Sequence, residues 1–186
     1  FNSLIHENLG KYNYYVIMPH FNTDVSSVLF KIPEDKLLII DKEVPKLKGK
    51  YAAICQNFKE DIYLALRQNR DLFKNYRKIN FVKSTSKFQF IPDGIIKGFT
   101  QFIHEFGLEG EILSTIKGRT FQRGEVFIVF PEGDLIHLIR MAKDNKWKLG
   151  KDIGIVAYDD GPMKEILEGG ITVLSTDFEA MGKTAA

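Results

Sequence analysis

The stretch Asp152-Ile153-Gly154-Ile155-Val156-Ala157-Tyr158-Asp159-Asp160-Gly161 runs through unbroken apolar positions and then stops on two carboxylates and a Gly-Pro turn. A strand with one face in water alternates polar and apolar residues, whereas a strand covered by helices on both faces does not. The run 153–158 is therefore predicted to be a doubly covered strand of a parallel sheet. In open parallel α/β sheets, ligands bind outside the carboxyl ends of the strands. Asp159 and Asp160 have that address.

Further short apolar runs lie at 14–18, 37–40, 51–55, 79–82, 111–113, 126–130 and 171–174. Most are separated by stretches with helical spacing. One places Ile62, Ala65, Leu66, Leu72, Phe73 and Tyr76 on a single face. Another does so with Ile95, Phe99, Phe102, Ile103 and Phe106, and a third with Leu135, Leu138, Ile139 and Ala142. Alternation of this kind predicts an α/β fold of parallel sheets flanked by helices, joined by right-handed crossovers and not closed into a barrel. The basic connection 41–49, with Pro45, reads as a surface loop. The chain opens in a helix with Leu4, Ile5 and Leu9 as its apolar side and closes in another starting near Asp177. Neither end shows a capped helix with structure beyond it, which predicts a fragment.

With 186 residues and 44% hydrophobic content, the chain can form one large domain or two small lobes, and it is neither disordered nor fibrous. Twenty-six basic and 24 acidic residues give a formal net charge of +2. This is not the one-sided excess of a nucleic-acid-binding surface, so DNA contact is assigned to another segment. Lys46, Lys48, Lys50, Arg67 and Arg70 read as a solvated face. The single Cys55 excludes an internal disulfide framework, fits a reducing cytoplasm, and is expected as a small buried hydrophobe. No run approaches the roughly 18 apolar residues that span a bilayer, and the start lacks the basic and apolar regions of a signal peptide. A cytoplasmic protein without membrane contact is expected.

Catalytic motifs are absent. His6-Glu7 and His104-Glu105 begin like a zinc-protease helix, but the fourth positions onward are Gly10 and Leu108, so neither forms a metal-ligand pair. There is no Lys-Ser/Thr phosphate loop, no Gly-x-Gly-x-x-Gly and no Gly-x-Ser-x-Gly elbow. Neither a metal nor a cofactor is expected, and the chain does not read as an enzyme.

What recurs is polar residues just after apolar strands. Pro19-His20-Phe21-Asn22 follows the first, Asp41 the second, Gln56-Asn57-Phe58 the third, Pro131-Glu132-Gly133-Asp134 a later one, and Asp159-Asp160 the run quoted above. Carboxylates and amides beside an aromatic such as Phe21, Phe58 or Tyr158 suit a ligand with many hydroxyls and one apolar ring face. Asn57 and Asp134 also stand where a helix N-cap is wanted, and capping explains them equally well. Asp160 before Gly-Pro is a good turn residue, and Pro162 fits the first helical position. Asp159 needs a partner if buried.

The segment from Asp152 to Leu167, with Gly170-Ile-Thr-Val-Leu-Ser-Thr-Asp-Phe-Glu-Ala-Met-Gly-Lys183, resembles the closing signature of LacI/GalR-type sensor domains. Tyr158-Asp159-Asp160, Ile171-Thr-Val, Thr176-Asp177 and Met181-Gly182 fill the family's places in order. Upstream, Gln56-Asn57 resembles its Asp-Asn step into a long helix, and Lys97-Gly98-Phe99 its Gly-Phe. The wording Tyr51-Ala-Ala-Ile-Cys-Gln-Asn-Phe-Lys-Glu-Asp-Ile-Tyr63 is similar to a subgroup, the sensors of GntR-family winged-helix regulators from Bacteroides-like bacteria. The resemblance covers nearly the whole chain. Two positions depart from it: Ile95 stands where the family often has a sugar-binding arginine, and Pro131-Glu132-Gly133-Asp134 replaces its usual Asn-Asp.

The resemblance implies a type I periplasmic-binding-protein-like fold of two Rossmann-like lobes, truncated at both ends. Residues 1–76 with 177–186 would form the first lobe and 77–176 the second, with the DNA-binding domain outside this chain. It further implies a dimeric transcriptional regulator that binds a small sugar, a neutral monosaccharide given the carboxylate-rich edge, in the inter-lobe cleft and meets operator DNA through a winged helix. The ligand contacts it points to are Asp159, Asp160, Gln56, Asn57, Asp93, Asp41 and His20, with Phe21, Phe58 and Tyr158 as stacking surfaces. A transport-type sugar-binding protein is the nearest alternative, and a small α/β enzyme acting on a sugar or nucleotide, with Asp159 and His20 as acid and base, is a further one.

Overall fold

A computed structural model of the chain describes residues 1–21, 23–83 and 91–186. It divides into two compact units, Phe1–Gln56 with Asp177–Ala186, and Asn57–Thr176.

The first unit is built on a parallel sheet of β1 (Tyr15–Ile17), β2 (Leu37–Asp41) and β3 (Ala52–Cys55), in the order β1-β2-β3. The register aligns Ile17 with Ile39 and Ala53, and Asp41 with Cys55. Strand periodicity puts Tyr15, Ile17, Leu37 and Ile39 on one face. That face is buried with Ile5 of α1 (Asn2–Asn8), Val28 and Leu29 of α2 (Ser26–Leu29), and Val44 and Leu47 of the 41–49 loop. Leu4, expected on the apolar side of α1, faces outward. The helix is only two turns long and Ile5 alone reaches the sheet. The alternate positions Val16, Leu38 and Ile40 are exposed or half-buried. α7 (Phe178–Ala185) lies against β2 and β3, capped by the Asp177 carboxylate accepting from the Ala180 amide at 2.8 Å.

The second unit carries β4 (Lys78–Val82), β5 (Gly110–Leu113), β6 (Glu125–Val129), β7 (Ile153–Tyr158) and β8 (Thr172–Leu174) in the order β5-β4-β6-β7-β8, all parallel. The unbroken apolar runs have the expected cause. Val126, Ile128 and Phe130 of the β6 segment pack on the side of α3 (Phe58–Gln68) and α4 (Asp93–Glu105), while Phe127 and Val129 pack on the side of α5 (Glu132–Asp144). The order reverses between β4 and β6, because the chain adds β5 on one flank and then crosses to the other. This is the topological switch point of a doubly wound sheet.

One expectation is corrected here. The helical face predicted from Ile62 to Tyr76 is not one helix: α3 ends at Gln68, a 3₁₀ turn follows at Arg70–Phe73, and Leu72 is exposed. Asn69 ends α3 by donating its side-chain amide to the Ala65 carbonyl, a local bond that competes with continuing the helix. By packing, the chain divides after Gln56, where the resemblance implies a lobe boundary after residue 76. The cause is the packing of α3 on α4. A Cβ at Gly98 would stand 2.2 Å from both the Lys59 carbonyl oxygen and Ile62 Cγ2, so only glycine lets the two helices approach this closely.

Candidate functional site

In the first unit, parallel pairing brings the three strand ends into line. Asp41 is the last residue of β2, Gln56 follows the last residue of β3, and His20 lies three residues beyond β1. Asp41 is 3% exposed and takes a left-handed backbone, φ 73°. Its Oδ2 meets His20 Nε2, its Oδ1 accepts from Gln56 Nε2, and its carbonyl accepts from the Gln56 amide at 2.9 Å. Burial pushes the Asp41 carboxyl up, but the hydrogen bonds from His20 and Gln56, with the His20 charge, outweigh it and hold the group below its ordinary value. Both carboxylate oxygens are thus engaged in fixing two neighbours, so Asp41 acts here as an organiser of His20 and Gln56. His20 is the more solvent-exposed member, its side chain 38% accessible.

Phe21 is half-buried with its ring 4.5 Å from that of Phe1, and its carbonyl accepts from Lys42 Nζ at 3.2 Å. Beside these residues opens a cavity of about 220 Å³, walled by Pro19, Phe21, Val44 and Pro45 and rimmed by Asp24 and Lys46. The Ser26 amide and the Lys46 ammonium, 3.0 and 3.1 Å from the Asp24 carboxylate, lower its pKa to about 2. Asn22 lies outside the described residues.

In the second unit the candidate residues sit at the carboxyl end of β7 and at two helix starts. Tyr158 is half-buried and stacks on Phe130, centroids 4.2 Å apart and planes 18° from parallel. Asp159 is half-buried and left-handed, φ 59°, and its amide donates to the Leu174 carbonyl at 2.8 Å. Asp160 is exposed. Its amide donates to Ser175 Oγ at 3.0 Å and its carboxylate accepts from the Gly161 amide at 2.7 Å, the turn role that the Gly-Pro sequence suggests. Pro162 does stand at the start of α6 (Pro162–Ile166).

Of the two residues readable as caps, Asn57 is one: it precedes α3 and accepts from the Glu60 amide at 3.3 Å. Asp134 is not. α5 starts after Pro131, leaving Asp134 in its first turn, where a negative charge suits the helix dipole. Phe58, the first residue of α3, packs against the core on the α3–α4 side. Asp93, the first residue of α4, is exposed and lies 3.5 Å from Lys83 Nζ just beyond β4, at the switch-point edge.

The structure therefore brings His20, Asp41 and Gln56 together in one unit. In the other it places Tyr158, Asp159 and Asp160 on one turn, with Asn57 and Asp93 in separate local roles. Sequence reasoning missed Phe130 as the partner of Tyr158, and it missed Lys164. This lysine of α6 is 8% exposed and donates to the Tyr158 carbonyl at 2.7 Å and to the Asp159 carbonyl. A lysine two residues into a short apolar helix was the available signal. Half-buried Cys55 has its thiol pushed up by burial, with Glu43 and Asp41 adding to it. Among the described residues no three His, Cys, Asp or Glu side chains are placed to hold a metal ion, and no helix is long and apolar enough to cross a membrane. Chemically, an imidazole, a carboxamide, carboxylates and aromatic faces at strand ends can exchange hydrogen bonds with hydroxyls and stack on a ring.

The fold is that of LacI-type, periplasmic-binding-protein-like domains: α/β, with parallel sheets flanked by helices. The lactose repressor bound to the anti-inducer ONPF aligns with 99% of this chain and 72% of its own, at 14% identity and TM-score 0.73. A LacI family transcriptional regulator from Arthrobacter sp. FB24, in complex with lactose, aligns over 98% of this chain and 70% of its own, at 10% identity and TM-score 0.73. The LacI family regulator CCPA from Weissella paramesenteroides, with bound glucose, aligns over 98% and 72%, at 14% identity and TM-score 0.70. No protein-family model and no curated protein sequence matches the chain.

Proposed function

We propose that this chain is the effector-sensing part of a bacterial transcriptional regulator, that it binds a small neutral sugar, and that it is a binding protein and not an enzyme. One observation carries the reading: polar side chains gather at the carboxyl ends of parallel strands in a fold shared with regulators solved with lactose and with glucose. His20 and Gln56 of the first unit, and Asp159 and Asp160 of the second, are the proposed hydroxyl partners. Asp41 organises the first pair, and Asn57 and Asp93 have secondary roles. Tyr158, Phe21 and Phe58 offer aromatic faces. In this reading the regulator is a cytoplasmic homodimer of the GntR family, a winged-helix domain outside the chain meets operator DNA, and sugar and operator affinities are linked reciprocally.

The test is a thermal-shift screen of the protein against neutral monosaccharides and disaccharides and their phosphates, repeated with Asp159→Asn. Asparagine tolerates a left-handed backbone, so the variant alters the carboxylate alone. A sugar at 100 times its Kd should stabilise by about 2.7 kcal/mol, and for a chain of this size that raises Tm by about 5–10 °C. A sugar that shifts the wild type and fails to shift the variant supports the assignment. If no sugar shifts the wild type, the reading is wrong.

A further inference from the structure

α6 is built inside out. Its hydrophobic residues Met163 and Ile166 are 43% and 79% exposed, while its lysine is 8% exposed. Burying an ammonium costs far more than burying a methionine unless fixed partners replace its water. The partners here are the carbonyls of Tyr158 and Asp159, consecutive residues at the carboxyl end of β7. Asp159 is also the residue that leaves β7 with φ 59°, a conformation costly for a residue with a Cβ unless its surroundings impose it. Lys164 is bound to the two main-chain carbonyls that flank the Asp159 Cα, and α6 is in turn tied back through the Lys164 carbonyl, which accepts from the Ile171 amide at 2.9 Å.

We propose that Lys164 is a positioning residue of the candidate ligand site: its buried ammonium clamps the Tyr158 and Asp159 carbonyls and so fixes the left-handed turn that carries Asp159 and Asp160. The proposal rests on the sugar-binding reading for what the turn is for, and on geometry alone for the clamp. A conformational clamp explains why this position is a lysine. An apolar side chain of similar length would fill the same space without holding the carbonyls, and an exposed lysine would hold nothing. The positive charge behind the turn also offsets the two adjacent carboxylates, which favours an uncharged, hydroxyl-rich ligand over a cationic one.

The test separates the clamp from its use. Amide hydrogen exchange is followed by NMR in the wild type, in Lys164→Met and in Lys164→Met combined with Asp159→Gly. Lys164→Met is expected to speed exchange at the Asp160 and Gly161 amides by about tenfold or more and to leave the β6 amides unchanged, since local opening is read by local amides. Glycine takes a positive φ without strain, so the double variant is expected to recover most of the protection. A lysine that merely fills space gives no such rescue. Unchanged exchange in Lys164→Met, acceleration spread equally over β6, or absence of rescue each overturns the clamp. In parallel, glucose, galactose, lactose and maltose are titrated against the wild type and Lys164→Met. A sugar held by the wild type should bind the variant at least tenfold more weakly, and equal affinity overturns the positioning role. If none of these sugars binds the wild type, the sugar-binding reading fails, and the exchange data still decide whether Lys164 holds the turn.

Discussion

Replacing Asp41 by Asn is the sharpest perturbation of the first unit. Asparagine is nearly isosteric and tolerates φ 73°, so the backbone is not newly strained. What changes is hydrogen bonding. The carboxylate receives His20 on one oxygen and Gln56 on the other, whereas an amide has one acceptor and one donor group. One of the two partners must then face an N–H with its own N–H. A buried donor left unsatisfied costs about 1–3 kcal/mol, and the remaining bond also loses its charge assistance. Rotation of the Gln56 amide, or a change of His20 tautomer, can restore a donor–acceptor pair and would bring the cost to the lower end. Domains of this size lose about 2–4 °C of Tm per kcal/mol, so a fall of roughly 3–10 °C is expected in thermal unfolding followed by circular dichroism, with a matching drop in urea midpoint. A control comes from the backbone. Asp41→Gly removes the same carboxylate but relieves the left-handed strain, so it should be about 1 kcal/mol more stable than Asp41→Ala. An Asn variant within about 0.5 kcal/mol of wild type would refute the claim that Asp41 organises its neighbours, because surface substitutions without a structural role fall in that range.

Other expectations follow from the same geometry. The folded-state pKa of Asp41 lies below its usual 3.8, so its stabilising contribution is complete above about pH 4 and is lost as pH falls through the lowered value; acid unfolding should accordingly be steeper in the wild type than in Asp41→Asn. Gly98→Ala puts a methyl 2.2 Å from the Lys59 backbone oxygen and forces α3 and α4 apart. Even after the gain of about 1 kcal/mol in helix propensity it should destabilise by about 1–3 kcal/mol, whereas Gly182→Ala in α7, with nothing within 4 Å, should stabilise by about 0.5–1 kcal/mol in urea titrations. Asn57→Ala should cost about 1 kcal/mol and Asn57→Asp almost nothing, since both Asn and Asp cap α3; an equal loss in the two would mean that the cap is not what Asn57 supplies.

The layered architecture was legible wherever burial on two faces left an unbroken apolar run, as in Val126 to Phe130 and Ile153 to Tyr158. Individual candidate residues were legible as polar breaks at the ends of such runs. Their arrangement was not. His20, Asp41 and Gln56 stand 21 and 15 residues apart, and that Asp41 is the centre of the three depends on the register that pairs Asp41 with Cys55. The division after Gln56 has a readable cause. Gly94 and Gly98, four residues apart on one helix, both lie against α3, and that close contact ties residues 58–68 to the unit that follows them. The break at Asn69 could not be seen from apolar spacing, because Leu72, Phe73 and Tyr76 keep the helical period through it, and the interruption comes from a side-chain amide competing for the Ala65 carbonyl. Lys164 was overlooked for a related reason. Apolar patterning assumes that a lysine marks the solvent side, and here two backbone carbonyls take the place of solvent.

The two units solve one local problem in opposite ways, and the difference orders the expected phenotypes. Each ends a strand on an aspartate with positive φ, 73° at Asp41 and 59° at Asp159. In the first unit the clamp acts on the side chain, since His20 and Gln56 bind the carboxylate itself. In the second it acts on the main chain, since Lys164 binds the carbonyls that flank the Asp159 Cα, those of Tyr158 and of Asp159 itself. Asparagine at 159 keeps the backbone tolerance and the lysine clamp, while asparagine at 41 dismantles the contact that holds two neighbours. Asp41→Asn should therefore lower the unfolding midpoint more than Asp159→Asn. If a sugar is bound, Asp159→Asn should show the larger loss of affinity per degree of stability lost. The reverse order would mean that the Asp159 turn is held through its carboxylate, and that the buried lysine serves packing alone.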